Sequence, residues 1–234
     1  MPAPHPEAVA RHPHLASELP AGWVRVDLHS HTMWSGDSTT TPEEIEEAVV
    51  ESGLDVLCIT DHNAIKGAVQ LAASLPCRVI VGEEMKTHAG EIIGLFMTEH
   101  IPFGLPTREA AGAIRSQGGV VYVPHPFDPM RKNISEAGLD DLVSAGLVDA
   151  IEVINAKTSL RSLNERAAQY ARTHGLLAGA GSDAHVPHAL GAAYVEMPDF
   201  DGPQEFLTSL AQARPVGHHW DLARPWRPRL LPST

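Results

Sequence analysis

Seven short apolar runs, rich in β-branched residues and separated by stretches with helical spacing, set the rhythm of the chain. The runs at 24–29, 54–60, 78–81, 119–124, 148–154, 176–180 and 192–197 are predicted strands. Between them, Thr41-Pro42-Glu43-Glu44 offers a cap, a first-turn proline and acids at the positive end of a helix dipole. Further helices are predicted over 63–74, 107–117, 135–145, 159–174 and 202–213. Strand followed by helix, repeated along one chain, implies parallel strands with helical crossovers, and a closed α/β barrel is the economical way to bury both faces of such a sheet. Segment 84–97 breaks the rhythm and is expected to be an extra hairpin between the third strand and the third helix. The barrel is assigned to 23–213. Residues 1–22 lack apolar periodicity and are expected to form a surface extension with solvated His5, His12 and His14, and the proline-bearing stretch 214–234 a surface tail.

Composition adds bounds to this picture. At 234 residues with 43% hydrophobic and 20% charged content, the chain can bury a core of its own as one domain. Cys58 and Cys77 each lie in or beside an apolar run, the setting of buried thiols in a reducing compartment. No stretch approaches the roughly 20 apolar residues that cross a bilayer, and the amino terminus lacks a secretory pattern. The expectation is a cytoplasmic protein without a membrane partner. A net charge of −12, from 29 acids and 17 bases, disfavours long nucleic acids. A small anionic substrate stays open, because carboxylates that hold cations are neutralised.

The 14 histidines change the picture more. Several sit in short motifs at strand ends. In His29-Ser30-His31 the two imidazoles are two apart after a strand and point the same way, so both can reach one metal ion. Asp183-Ala184-His185 repeats the spacing after the sixth predicted strand, and Asp61-His62 closes the second. Glu84 follows the third, His125-Pro126 the fourth, and Glu152 and Asn155 end the fifth. Each strand from the first to the sixth delivers an imidazole or an acid to the carboxyl rim, where barrels build active sites. Without cations each would carry its own desolvation cost.

The ordered set His29-Ser30-His31, Asp37, Thr60-Asp61-His62, Gly82-Glu83-Glu84, His125-Pro126, Glu152-Val153-Ile154-Asn155 and Gly181-Ser182-Asp183-Ala184-His185 resembles the polymerase and histidinol phosphatase (PHP) family, over residues 24–197. The resemblance implies a distorted seven-stranded TIM-like (β/α)7 barrel with two or three divalent ions (zinc, manganese or iron), hydrolysing small phosphate esters. Carried over residue by residue, one ion falls to His29, His31, Asp183 and a bridging carboxylate, Glu84 in preference to Glu83. A second shares Glu84 and takes His125, and a third takes Asp37, His62 and His185. The family's further histidine on the second ion is replaced here by Glu91, with His88 as competitor. Asp61 is expected to orient a ligand histidine.

Neighbouring divalent cations would lower the pKa of a shared water and present hydroxide to phosphorus, so no serine or cysteine nucleophile is needed. His185 or Asp37 is placed to assist proton transfer to the leaving oxygen. Arg131 is expected to grip substrate phosphate and take part in catalysis, with Lys157 and Asn155 as further substrate contacts. His188 and His218-His219-Trp220 fall outside these motifs and read as surface or packing residues, while Trp34 fits either the substrate entrance or the core. The helical insertion common in the family's nucleotide phosphatases is not evident after residue 97, which implies a more open pocket. Two other classes compete: an amidohydrolase, which would place a bridging lysine where this chain has His125-Pro126, and a metal-binding domain without catalysis.

Overall fold

The computed structural model describes His12, Leu15 and residues 17–218. Its nine strands are β1 (Trp23–Ser30), β2 (Val56–Ile59), β3 (Arg78–Thr87), β4 (Gly90–Leu95), β5 (Val120–Val123), β6 (Ala150–Asn155), β7 (Leu177–Gly181), β8 (Ala193–Pro198) and β9 (Arg214–Gly217). They hydrogen-bond in the order β7-β6-β5-β4-β3-β2-β1-β8-β9. All four residues of β2 and of β5 are buried, as expected of strands covered on both faces, whose sequences are continuous apolar runs.

β7 returns to β1 just past their last paired residues. Ser30 and Ala184 form a parallel bridge, the Asp183 amide donates to the His29 carbonyl at 2.8 Å, and the His31 amide donates to the Ala184 carbonyl at 2.9 Å. The ring therefore closes at its carboxyl rim, through the residues that carry the candidate ligands. Gly181 permits the approach, since a Cβ there would collide with the Cβ of His29 and come within 2.7 Å of Glu152 Oε1.

Seven strands make the ring, though not the seven predicted. The segment read as an inserted hairpin supplies the long end of β3 and all of β4, and β4 is a ring strand, antiparallel to both β3 and β5. The two-residue turn between β3 and β4 dictates this, because a parallel pair needs a crossover of a dozen or more residues. The run at 192–197, predicted as the seventh parallel strand, instead pairs antiparallel with β1 outside the ring, Val24 facing Met197 and Val26 facing Val195. β9 then pairs antiparallel with β8, so the sheet runs past residue 213, where a surface tail was expected to begin.

Among the described residues six α-helices cover the ring: α1 (Pro42–Ser52), α2 (Lys66–Leu71), α3 (Thr107–Ser116), α4 (Glu136–Ser144), α5 (Arg161–His174) and α6 (Gly202–Leu210). α1 begins with a full capping box, Thr41 Oγ1 accepting from the Glu44 amide and Glu44 Oε2 from the Thr41 amide. Such a cap stabilises a helix by about 1 kcal/mol. α2 is shorter than the predicted 63–74 because Asn63 adopts φ 51° and its side-chain oxygen accepts from the Lys86 amide at 3.0 Å. The residues ahead of α2 thus tie the rim of β2 to β3. None of the described helices is long and apolar enough to cross a membrane.

The apolar interior forms two clusters, one containing Leu28, Leu57, Tyr122, Tyr194 and Phe206, the other Met85, Ile92, Ile114, Val121 and Ile151. Leu15 belongs to the first and is only 1% exposed. The segment ahead of β1 is therefore not wholly a surface extension. His12, expected to be solvated, is buried, its Nε2 lying 3.2 Å from the His188 carbonyl and its ring 5.1 Å from that of His218. His5, His14, His219 and Trp220 lie outside the described residues.

Candidate metal centre

Period-two alternation at the end of β1 sends His29 and His31 to one side, where their Nε2 atoms stand 3.0 Å apart. Glu84 Oε2, from β3, lies 3.4 Å from His29 Nε2 and 3.3 Å from His31 Nε2. Asp183 Oδ1, from the segment after β7, lies 3.8 and 3.5 Å from the same two nitrogens. Four donors at about 2.1 Å from a tetrahedral ion stand about 3.4 Å from one another, so these separations describe a cage of the size of one cation.

The partners of the two Nδ1 atoms support that reading. His29 Nδ1 is 3.1 Å from Glu152 Oε1, and His31 Nδ1 is 3.0 Å from Ser35 Oγ. In the tautomer that places both protons on Nδ1, toward those oxygens, both buried rings would turn Nε2 lone pairs on one point, an arrangement that calls for a cation or a proton there. Burial, with the nearby His185, pushes His31 down to about 4, which leaves a neutral imidazole suited to ligation. Burial opposes charge on His29 as well, but the carboxylates of Glu152, Glu84 and Asp183 outweigh it and hold that ring well above its ordinary value. The cage is thus rich in anions and suited to a positive ion.

Glu84 extends the cage. Its Oε1 is 3.1 Å from His125 Nε2 while Oε2 faces His29, His31 and His62, the posture of a carboxylate shared between two positions. Beyond it Glu91 Oε2 lies 3.8 Å from His125 Nε2, and Glu91 Oε1 4.0 Å from His62 Nδ1. Glu91 is 5% exposed, whereas His88 is exposed on the β3–β4 turn and belongs to none of the donor groups among the described residues. Glu83 turns to the opposite face of β3, where it takes His100 Nδ1 at 2.7 Å and the Ile101 amide at 3.1 Å. A third group forms at the mouth, where Asp37 Oδ2 lies 3.2 Å from His62 Nε2 and 3.3 Å from His185 Nε2. Burial works against charge on Asp37, but hydrogen bonds from His185 and His62 prevail and hold it well below the carboxylate range.

All nine sequence-derived ligand candidates, His29, His31, Asp37, His62, Glu84, Glu91, His125, Asp183 and His185, fall into overlapping groups whose donor atoms lie within 4.8 Å of one another. The buried His62 Nδ1 and His125 Nδ1 have no hydrogen-bond partner among the described residues. Nitrogen and carboxylate donors in this arrangement fit divalent cations. His125 and Asp183 hold φ values of 29° and 50°, sparsely populated for residues with a Cβ and typical of functional sites whose surroundings over-determine the backbone.

The three substrate candidates all reach one carboxylate. Arg131 donates to Asp183 Oδ2 at 2.8 Å, Asn155 Nδ2 to the same oxygen at 3.3 Å, and Lys157 Nζ lies 3.3 Å from Oδ1 and 2.7 Å from His185 Nδ1. Asp61 reaches a ligand histidine only indirectly. Among the described residues it binds no histidine, and it accepts from the amide and the hydroxyl of Thr32, each at 2.6 Å. It thereby fixes the short helix Met33–Ser35, and through it the Ser35 hydroxyl on His31. Trp34 packs partly buried against the apolar core, close over Gly67.

Two residues outside the candidate set complete the support. Asp128 accepts from Thr158 Oγ1, the Ser159 amide and Ser159 Oγ, pinning the Arg131 loop to the Lys157 loop. Glu152 divides its oxygens, Oε1 to His29 Nδ1 and Oε2 to the His125 amide at 2.7 Å and Asn155 Nδ2 at 2.9 Å. Glutamine has one acceptor oxygen and can satisfy only one side. Glu152→Gln is therefore expected to weaken metal affinity about ten- to hundredfold, read by metal titration, and unchanged affinity would show that His29 needs no such support.

A ring of seven strands with imidazoles and acids converging at its carboxyl rim defines a TIM-like barrel with a candidate centre for divalent cations. Residues 161–215 match the family model described as PHP-associated. An uncharacterized protein of Methanocaldococcus jannaschii is 34% identical over 196 residues, 80% of this chain and 79% of that one. Among solved structures, a two-domain Bacteroides vulgatus protein containing a predicted PHP-like metal-dependent phosphoesterase superposes with TM-score 0.66 at 18% identity, covering 86% of this chain and 68% of that one. An amidohydrolase from Chromobacterium violaceum with bound sulfate and no metal gives TM-score 0.56 at 19% identity, covering 71% of this chain and 89% of that one. These two likenesses carry the fold. The chain belongs to the PHP family.

Proposed function

We propose that the chain is a metal-dependent phosphoesterase acting on small phosphate esters. The observation that carries this is the cage of His29, His31, Glu84 and Asp183, continued through Glu84 to His125 and Glu91 and flanked by two cations of the protein itself, Arg131 and Lys157. His29, His31, Glu84 and Asp183 would hold one ion, Glu84, His125 and Glu91 a second, and Asp37, His62 and His185 a third, with zinc, manganese and iron as candidates. Bound divalent cations supply Lewis acidity, a lowered pKa for coordinated water and charge to stabilise the phosphoryl oxygens.

The protein's own groups have distinct tasks. Arg131 and Lys157 close on Asp183, and a divalent ion claiming that carboxylate's charge would free their N–H groups for substrate phosphate. Asp37 is held ionised by its two histidine partners and holds no proton for the leaving oxygen; His185 would serve as that donor only while the third position is empty. Asn155, tied to Glu152 and Asp183, orients the carboxylates.

Hydrolysis of a phosphomonoester panel by manganese-loaded protein, with amides and lactones alongside, tests the reading. Turnover of phosphate esters is expected, while turnover of amides or lactones alone would mark an amidohydrolase, and cation binding without any turnover a non-catalytic domain. Arg131→Ala is expected to raise the KM for phosphate esters about tenfold or more, the weight of a charge-assisted hydrogen bond. An unchanged KM would remove Arg131 from the substrate contacts.

A further inference from the structure

A cleft of about 260 Å³ opens beside the metal centre, between the β3–β4 turn and the loop after β5, with Lys86, His88, Glu91, Lys132 and Asn133 among its lining residues. Glu91 belongs to both, one wall of the cleft and one member of the His62–Glu84–Glu91 group. Lys86 stands two residues beyond Glu84 on β3, so the two side chains leave the same face of the strand, about 7 Å apart along it. Lys86 is also paired in register with Glu91. The opposite wall is fixed by backbone, since the Glu91 amide donates to the Lys132 carbonyl at 2.8 Å. Gly90 packs so closely on Asn133 and Ile134 that a Cβ would lie 2.5 Å from the Ile134 nitrogen.

Arg131 and Lys157 are both engaged with Asp183, whereas neither Lys86 nor Lys132 has a carboxylate within ion-pair distance among the described residues. Once Glu91 is committed to a cation, the charge left in the cleft is that of two ammonium groups. Such a cleft, which shares Glu91 with the candidate metal centre, suits an anion attached to whatever is bound there.

The geometry points to a second anion subsite: the substrate is a small molecule with two anionic groups, one presented to the metal centre and the other, phosphate or carboxylate, held by Lys86 and Lys132. This rests on the phosphoesterase reading for its reaction but not for its binding.

The test compares an alkyl phosphate, an alkanediol bisphosphate and an ω-carboxyalkyl phosphate of one chain length as substrates of the metal-loaded protein. Calorimetry of an alkylphosphonate and an alkane bisphosphonate, neither of which can be hydrolysed, runs in parallel. The expected result is a kcat/KM at least about tenfold higher for a member with two anionic groups than for the alkyl phosphate, the bisphosphate and the carboxyalkyl phosphate together showing which group is preferred. That ratio, and the matching ratio of phosphonate affinities, should fall toward unity in Lys86→Ala/Lys132→Ala. Lys132→Glu, at an exposed loop position, should disfavour the members with two anionic groups further. Ester turnover with no preference, or a preference that survives in both variants, would overturn the subsite and leave the phosphoesterase reading standing. Absence of turnover, with bisphosphonate binding that depends on the lysines, would overturn the reaction and leave the subsite standing.

Discussion

Glu84→Gln is expected to lower kcat/KM for phosphate esters about a thousandfold and to strip the protein of more than one equivalent of metal. The carboxylate divides its oxygens between two sets of nitrogens, Oε1 toward His125 and Oε2 toward His29, His31 and His62. A carboxamide keeps the shape but loses the charge, and it turns an amino group, which cannot ligate, toward one set. Removing a single preorganised electrostatic group from an active site costs about a hundred- to a thousandfold, and here the loss falls on two positions together. Elemental analysis alongside steady-state kinetics checks it. Retention of the wild-type metal content would mean that the positions are filled independently and that Glu84 bridges nothing.

Chelation should lower the thermal midpoint by roughly 10 °C. At a thousandfold excess over Kd a ligand that binds only the folded state contributes about 4 kcal/mol, and for a domain of this size each kcal/mol moves the midpoint by about 2–4 °C. The nine candidate ligands come from sites scattered between residues 29 and 185 and meet only when the ring is closed, so the unfolded chain offers no equivalent site. Differential scanning fluorimetry with and without chelator, followed by readdition of manganese or zinc, measures the shift. A midpoint indifferent to chelation would contradict a resident cation.

The ligand candidates were legible because their chemistry and their position coincide in the sequence: His29, His62, His125 and Asp183 each follow an apolar run within a few residues. Strand ends of one polarity must share a rim, and no packing detail is required to infer that. Strand direction was less accessible. The run at 192–197 has the same composition as a parallel ring strand, and only its pairing with β1, a non-local property, makes it antiparallel. β4 was obscured in another way. Gly90–Leu95 carries Glu91 within an apolar strand, a residue that periodicity assigns to solvent and that the structure buries beside His62, Glu84 and His125.

The supporting residues were the least accessible. Asp128 and Asp61 act on backbone amides and hydroxyls 29 to 31 positions away in the chain, contacts for which the sequence holds no local pattern. Glu152 stood in the motif without a stated task, which came only with its distances to His29 and to the His125 amide.

The ring of His62 limits how the centre can fill. Its Nδ1 faces Glu84 and Glu91, and its Nε2 faces Asp37, yet a neutral imidazole has a single lone pair and a single N–H. Coordination on the Asp37 side therefore places the proton toward the two glutamates, and coordination on their side places it toward Asp37. In the arrangement proposed above His62 serves the outer position and its N–H would point at Glu84 and Glu91; the opposite tautomer would leave that position to Asp37 and His185 alone, so this one side chain bears on how firmly the outer ion would be held.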